Sequence, residues 1–191
     1  MSQKPPVQAA VEARRSYSKV TDEAPGQAEL ERMIASLVSL PDHSGLRPWR
    51  FIALRGAARD RLGHGLAAAA KTDPEKYVSK ARRAPLVIAI VVSPRPSDKV
   101  PLWEQEAVAS GAAHTLALLL HEAGWGVIWR TGELTRKKAV RKALGIKKPE
   151  YLLGWLYVGG IPPRNKTPKP RKPLQVERHL TTLVSGPEAR R

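Results

Sequence analysis

The chain has 191 residues, 33 Lys and Arg against 17 Asp and Glu for a net charge of +16, 42% hydrophobic residues and no cysteine. That size suits one compact domain with an ordinary apolar core, and the missing cysteine excludes disulfides, thiolate metal sites and a Cys nucleophile. No stretch has signal-peptide character or approaches the ~20 apolar residues of a membrane span, so a soluble, cytoplasmic protein with no membrane partner is expected.

In chain order, Val7–Arg15 carries apolar residues at helical spacing, and Leu30, Met33, Ile34, Leu37 and Val38 form the stripe of a second helix that Pro41 stops. Trp49–Arg55 alternates as a strand. Ala57–Lys71 and Pro74–Arg83 read as helices, the latter with Asp73 as N-cap and Pro74 at its first position. Pro85–Val92 is uncharged and β-branched, the pattern of a strand covered on both faces. Val100–Ala123 is a long helix whose segment 107–120 is almost wholly small or apolar, which predicts burial nearly all round. Gly124 ends it, and Gly126–Thr131 is a short strand. Thr135 is expected to cap a basic helix through Leu144, with Gly145 as its left-handed stop and Ile146 packing back. Tyr151–Gly160 is the last strand. Residues 1–162 read as one domain and 163–191 as a basic, Pro-rich arm. Strands spaced among unequal helices suggest α+β or α/β with a mixed sheet.

The charge is concentrated. Residues 131–191 hold 15 Lys and Arg against 4 Asp and Glu, a net +11, which favours encounter with anions of several kinds. The five histidines show no H-x-x-x-H or H-E-x-x-H spacing, so no metal site is expected. Glu104 and Glu106 point to different helix faces, against paired-carboxylate hydrolysis. Neither a P-loop nor a strand-following G-x-G-x-x-G occurs, and Ser16, Ser18 and Ser44 lack a nucleophile elbow.

Three polar clusters remain. Arg14-Arg15-Ser16-Tyr17-Ser18-Lys19 offers two guanidinium forks beside hydroxyls, suited to a phosphate or a polar ring edge; it also reads as an ordinary cationic helix end. Pro41–Phe51 is a polar loop feeding an aromatic-led strand, or simply a Pro/Gly/Ser turn. Val127–Gly132 sets Arg130 at the end of a buried strand, where a desolvated guanidinium requires an anionic partner.

In order, these clusters make the chain resemble the FMN-dependent nitroreductase family, in its small single-domain branch. The resemblance rests on Arg14-Arg15-Ser16; Pro41-Asp42-His43 with Pro48-Trp49-Arg50-Phe51; Val100–Glu106; Gly126–Gly132; and Leu144-Gly145-Ile146 with Gly154–Gly159. It implies a homodimeric α+β, nitroreductase-like fold with a mixed central sheet, a long buried central helix and FMN in clefts between subunits. By motif matching, Arg14, Arg15 and Ser16 would hold the phosphate and flavin edge. Ser39 and His43 would approach from the neighbouring subunit, and Trp129, Arg130 and Thr131 would flank the ring or phosphate. Lys169 and Arg171 look like a late K-x-R phosphate contact. Trp103–Glu106 would secure the central helix and dimer packing.

The implied activity is ping-pong hydride transfer from NADH or NADPH through flavin N5 to an electron-poor acceptor such as a nitroaromatic or quinone. Arg15 or Arg130 is the candidate donor beside flavin N1/O2. Since the flavin carries the redox chemistry, no separate catalytic residue is expected. Gly45 and Arg47 stand where many relatives have Asn and Gln, which leaves the acceptor open. The rivals are a non-catalytic FMN-binding or storage protein and, on charge alone, a nucleic-acid binder using 136–148 and 164–172.

Overall fold

The computed structural model describes residues 4–163 and 170–183. These form α1 (Pro6–Ala13), α2 (Gln27–Ala35), β1 (Trp49–Arg55), α3 (Ala58–Ala70), α4 (Pro74–Ala81), β2 (Leu86–Val92), α5 (Leu102–Glu122), β3 (Trp125–Arg130), α6 (Lys138–Ala143) and β4 (Tyr151–Gly160). The strands lie in the order β1-β2-β4-β3. Every residue of β2 is buried. Its alternation sends Leu86, Ile88 and Ile90 into one core with Leu30, Leu116 and Leu120, and Val87, Ala89 and Val91 into another with Leu62, Leu66 and Val140. Thus α2 and α5 cover one face and α3 and α6 the other, which is why β2 carries no polar residue.

Three expectations are corrected. The sheet is not mixed in its named strands, which pair antiparallel throughout; the parallel element is a single bridge from Ser16 to Val127. Helix α5 is not buried all round: Ala109, Ala112, Ala113, Leu116 and Leu120 form one buried stripe, while Ala107 and His114 on other faces are exposed. One chain has only one sheet to pack against, so only the inward stripe is covered. Thr135 does not cap a helix. It is buried in a 3₁₀ turn over Glu133–Arg136, its hydroxyl donates to the Gly132 carbonyl at 2.7 Å, and α6 starts later without a side-chain cap.

Local signals elsewhere hold. Asp73 accepts from the Glu75 N–H at 3.0 Å, and Gly145 ends α6 at φ 68° with Ile146 buried behind it. Among the described residues no helix is long and apolar enough to cross a membrane.

A polar clamp ties β1 to the start of β4. The Arg50 guanidinium donates twice to Glu150, at 2.8 and 2.7 Å, and the Ser93 hydroxyl donates to the same carboxylate at 2.5 Å. Chiefly through Arg50, this holds the Glu150 carboxyl at about 2, against an ordinary value of 4.5. A carboxyl depressed in the folded state stabilises fully above its unfolded value and loses that contribution as pH falls from 4.5 toward 2. Glu150→Gln is therefore expected to cost about 1–2 kcal/mol at pH 7 and to flatten the acid limb of stability. Urea unfolding at pH 7, 4 and 3 checks this; equal pH slopes for both proteins would contradict it.

Candidate active site

The chain after α1 lies along the outer edge of β3. There the Tyr17 N–H donates to the Val127 carbonyl at 3.0 Å; the chain then reaches the end of β4, where the Thr21 N–H donates to the Gly160 carbonyl at 2.9 Å. Gly159 permits this approach: a Cβ there would stand 2.7 Å from the Thr21 carbonyl oxygen. Backbone pairing thus holds Arg14, Arg15 and Ser16 beside β3, although more than 100 residues separate them in sequence.

The result is a cavity of about 190 Å³ lined by Arg14, Arg15, Ser16, His114, Ala117, Val127 and Trp129. Both arginines are half-buried. The Arg14 Nη1 reaches Ser16 Oγ at 3.5 Å, and neither arginine has a carboxylate partner among the described residues. Arg171, arriving from the far end of the chain, donates its guanidinium to the Arg14 carbonyl. Three guanidinium groups thus gather here without a carboxylate partner among the described residues, an arrangement in which like charges repel one another.

The structure separates other predicted residues from this cluster. Arg130 is exposed rather than desolvated at its strand end, so it requires no buried anion. It also faces away from Trp129: Trp129 packs in the core beneath α5, whereas Arg130 acts electrostatically on Tyr157, a member of the opposite core. Neighbours on a strand point to opposite faces. Thr131 lines a second cavity, about 240 Å³, with Tyr77, Lys80, Gly132, Trp155 and Tyr157 among its walls. The two cavities flank the C-terminal end of β3. At that end Gly154 of β4 lies so close that a Cβ would stand 2.6 Å from the Trp129 Nε1, a buried N–H with no acceptor among the described residues.

Ser39 and His43 line neither cavity. Ser39 is exposed at the end of a 3₁₀ turn. The His43 Nδ1 lies 3.0 Å from Glu104 Oε2, in the first turn of α5, ten residues or about 15 Å of helix from His114. Lys169 lies outside the described residues. In the Trp103–Glu106 segment, the buried Gln105 amide bridges Arg95 and the Val100 carbonyl and so fastens the approach to α5. The Tyr151 hydroxyl donates to Glu106 at 3.0 Å, and the Arg136 guanidinium lies over the Tyr151 ring at 4.1 Å. Trp103 is 70% exposed.

Among the titratable side chains at these cavities that the sequence reading did not assign to the site are His114, Lys80, Tyr77 and Glu133. His114 carried a signal, as the lone titratable group within the small, apolar stretch 107–120. Lys80 carried none, because only the packing of α4 brings it to Thr131.

The model of the nitroreductase family matches residues 11–160, a span that takes in both cavities. The chain belongs to the nitroreductase family. It is therefore an oxidoreductase enzyme. The Escherichia coli (strain K12) protein named "Putative NAD(P)H nitroreductase YdjA" is 36% identical over 154 residues, covering 76% of this chain and 83% of that one. A Haemophilus influenzae protein named "Putative NAD(P)H nitroreductase" is 31% identical over 153 residues with the same coverages. Among solved structures, a nitroreductase-like family protein from Bacillus cereus superposes with TM-score 0.81 at 19% identity, over 97% of this chain and all (100%) of that one. An FMN-dependent nitroreductase from Clostridium difficile R20291 gives 0.67 at 21% identity, over 92% and 98%. These superpositions establish the nitroreductase-like α+β fold.

Proposed function

We propose that this nitroreductase-family chain is an FMN-dependent NAD(P)H oxidoreductase acting on an electron-poor acceptor such as a nitroaromatic or quinone, and that it works as a homodimer. The observation that carries the reading is the meeting of Arg14, Arg15, Ser16 and Trp129 in one cavity without a carboxylate. That donor set fits a dianionic phosphate beside an aromatic wall, the chemistry of the flavin mononucleotide tail. The relatives named NAD(P)H nitroreductases and the neighbour described as FMN-dependent support the same cofactor and donor. When bound, FMN supplies two-electron redox chemistry between the nicotinamide and the acceptor.

The chain's own residues do the remaining work. Arg14 and Arg15 bind the phosphate by charge-assisted hydrogen bonds, Ser16 adds a hydroxyl donor, and Arg171 fixes the backbone of Arg14 while adding positive charge. The Trp129 ring walls the cavity. Lys80 and Thr131 place a cation and a hydroxyl at the other side of the β3 end, where a polar ring edge is served. A cavity of about 190 Å³ is small for a whole mononucleotide, which supports a site completed by a second chain. The uncovered side of α5, with Trp103 70% and Leu102 52% exposed, and Val38 67% exposed, supports the same conclusion, since apolar surface of this kind is covered in stable assemblies. On this reading, Glu104 holds His43 where a partner would present it to the neighbouring site.

Absorption spectroscopy tests the reading. The purified chain is expected to be yellow, or to become so with FMN, and to bleach anaerobically when NADH or NADPH is added. Yellow protein that does not bleach would make it a storage protein. Colourless protein that FMN cannot reconstitute, yet that shifts duplex DNA at moderate salt, would overturn it in favour of nucleic-acid binding.

A further inference from the structure

The cofactor cavity contains a side chain that the motif matching does not use. His114 stands on the exposed face of α5 and lines the cavity opposite the Arg14–Ser16 segment, with Ala117 one turn further along the helix. It has no hydrogen-bond or ion-pair partner among the described residues, no carboxylate shares the cavity wall, and Ala113 and Leu116 on either side fasten its backbone in the core. An imidazole held on a rigid helix, sharing a small cavity with two guanidinium groups that have no carboxylate partner among the described residues, is a donor available to an anion. Neutral or protonated, it offers an N–H to a phosphoryl oxygen.

We propose that His114 is a phosphate-binding residue of the cofactor site, contributed by the central helix and acting with Arg14 and Arg15. This rests on the FMN reading above and extends it: affinity for the phosphorylated flavin depends on α5 as well as on the N-terminal segment. Since Ala117, one turn on, has no polar side chain, His114 is the donor this helix supplies to that cavity.

The test uses the full-length chain freed of flavin and titrated with FMN and, separately, with riboflavin, following quenching of flavin fluorescence. His114→Ala is expected to weaken FMN about tenfold and to leave riboflavin within twofold. Because His114 belongs to neither hydrophobic core, the variant's thermal midpoint should match that of the parent protein. His114→Gln, which keeps a neutral donor, should recover part of the loss. FMN affinity within twofold of the parent in His114→Ala, while Arg14→Ala weakens it, would overturn the inference and leave the FMN reading intact. Equal loss of FMN and riboflavin would also overturn it, since a phosphate contact cannot affect riboflavin. A parent protein that takes up no FMN would end the reading and the inference together.

Discussion

Arg14→Ala should weaken FMN binding about 10- to 100-fold, and the double change Arg14→Ala with Arg15→Ala should yield colourless protein. A hydrogen bond to a charged group contributes about 1.5–3 kcal/mol, and 1.4 kcal/mol is a factor of ten. Arg14 is half-buried at the cavity wall, so its contact with a phosphate is less screened than a surface pair. Its backbone carbonyl also receives Arg171, a contact that alanine keeps, so the loss isolates the guanidinium. Lys148, which lines neither cavity, is the control: Lys148→Ala should retain full cofactor despite the same loss of charge. The flavin-to-protein absorbance ratio after gel filtration, followed by titration, reads the difference. Full cofactor in both single variants would show that the phosphate is held elsewhere.

Leu116→Ala should cost about 2–5 kcal/mol of stability and lower the thermal midpoint by roughly 10 °C. Leu116 is fully buried in the core formed with Ile88, Leu120, Leu156 and Val158. Its neighbours come from a helix and from strands pinned in the middle of the sheet, so the space left by the lost methyl groups collapses poorly. The same helix bears His114 and Ala117 on the cavity side, so loosened packing should also weaken FMN retention. Calorimetry and urea unfolding measure the first effect; a loss below about 1 kcal/mol would mean that α5 is less tightly seated than its burial indicates.

The contrast between Tyr151–Gly160 and the Glu133–Ala143 region shows how far local sequence reaches. The last strand was legible to its end residues, because apolar residues run unbroken and Gly160 closes it. The helix after β3 was misplaced, because Thr135 has the chemistry of a cap. Yet its hydroxyl is taken by Gly132 in a turn buried against α3 and α6, a preference set by packing. Likewise the composition of α5 signals contact on all sides, but a single chain supplies neighbours for one stripe only.

Two adjacent guanidinium groups beside a hydroxyl mark the N-terminal cluster in the sequence as a candidate for a phosphate, and the family's motif order gives its place in the chain; that these side chains line one cavity is what the fold adds. What the sequence by itself determined was the set of elements, through periodicity, caps and breakers acting over a few residues, and the kinds of side chain available for a phosphate. The tertiary structure alone decided which of them meet. The bridge from Ser16 to Val127, the arrival of Arg171 at Arg14 and the rise of His114 into the cavity join segments tens to more than a hundred residues apart. Strand alternation then parts Trp129 from Arg130 despite their adjacency. Such meetings depend on register and packing across the whole sheet, which no local pattern of residues encodes.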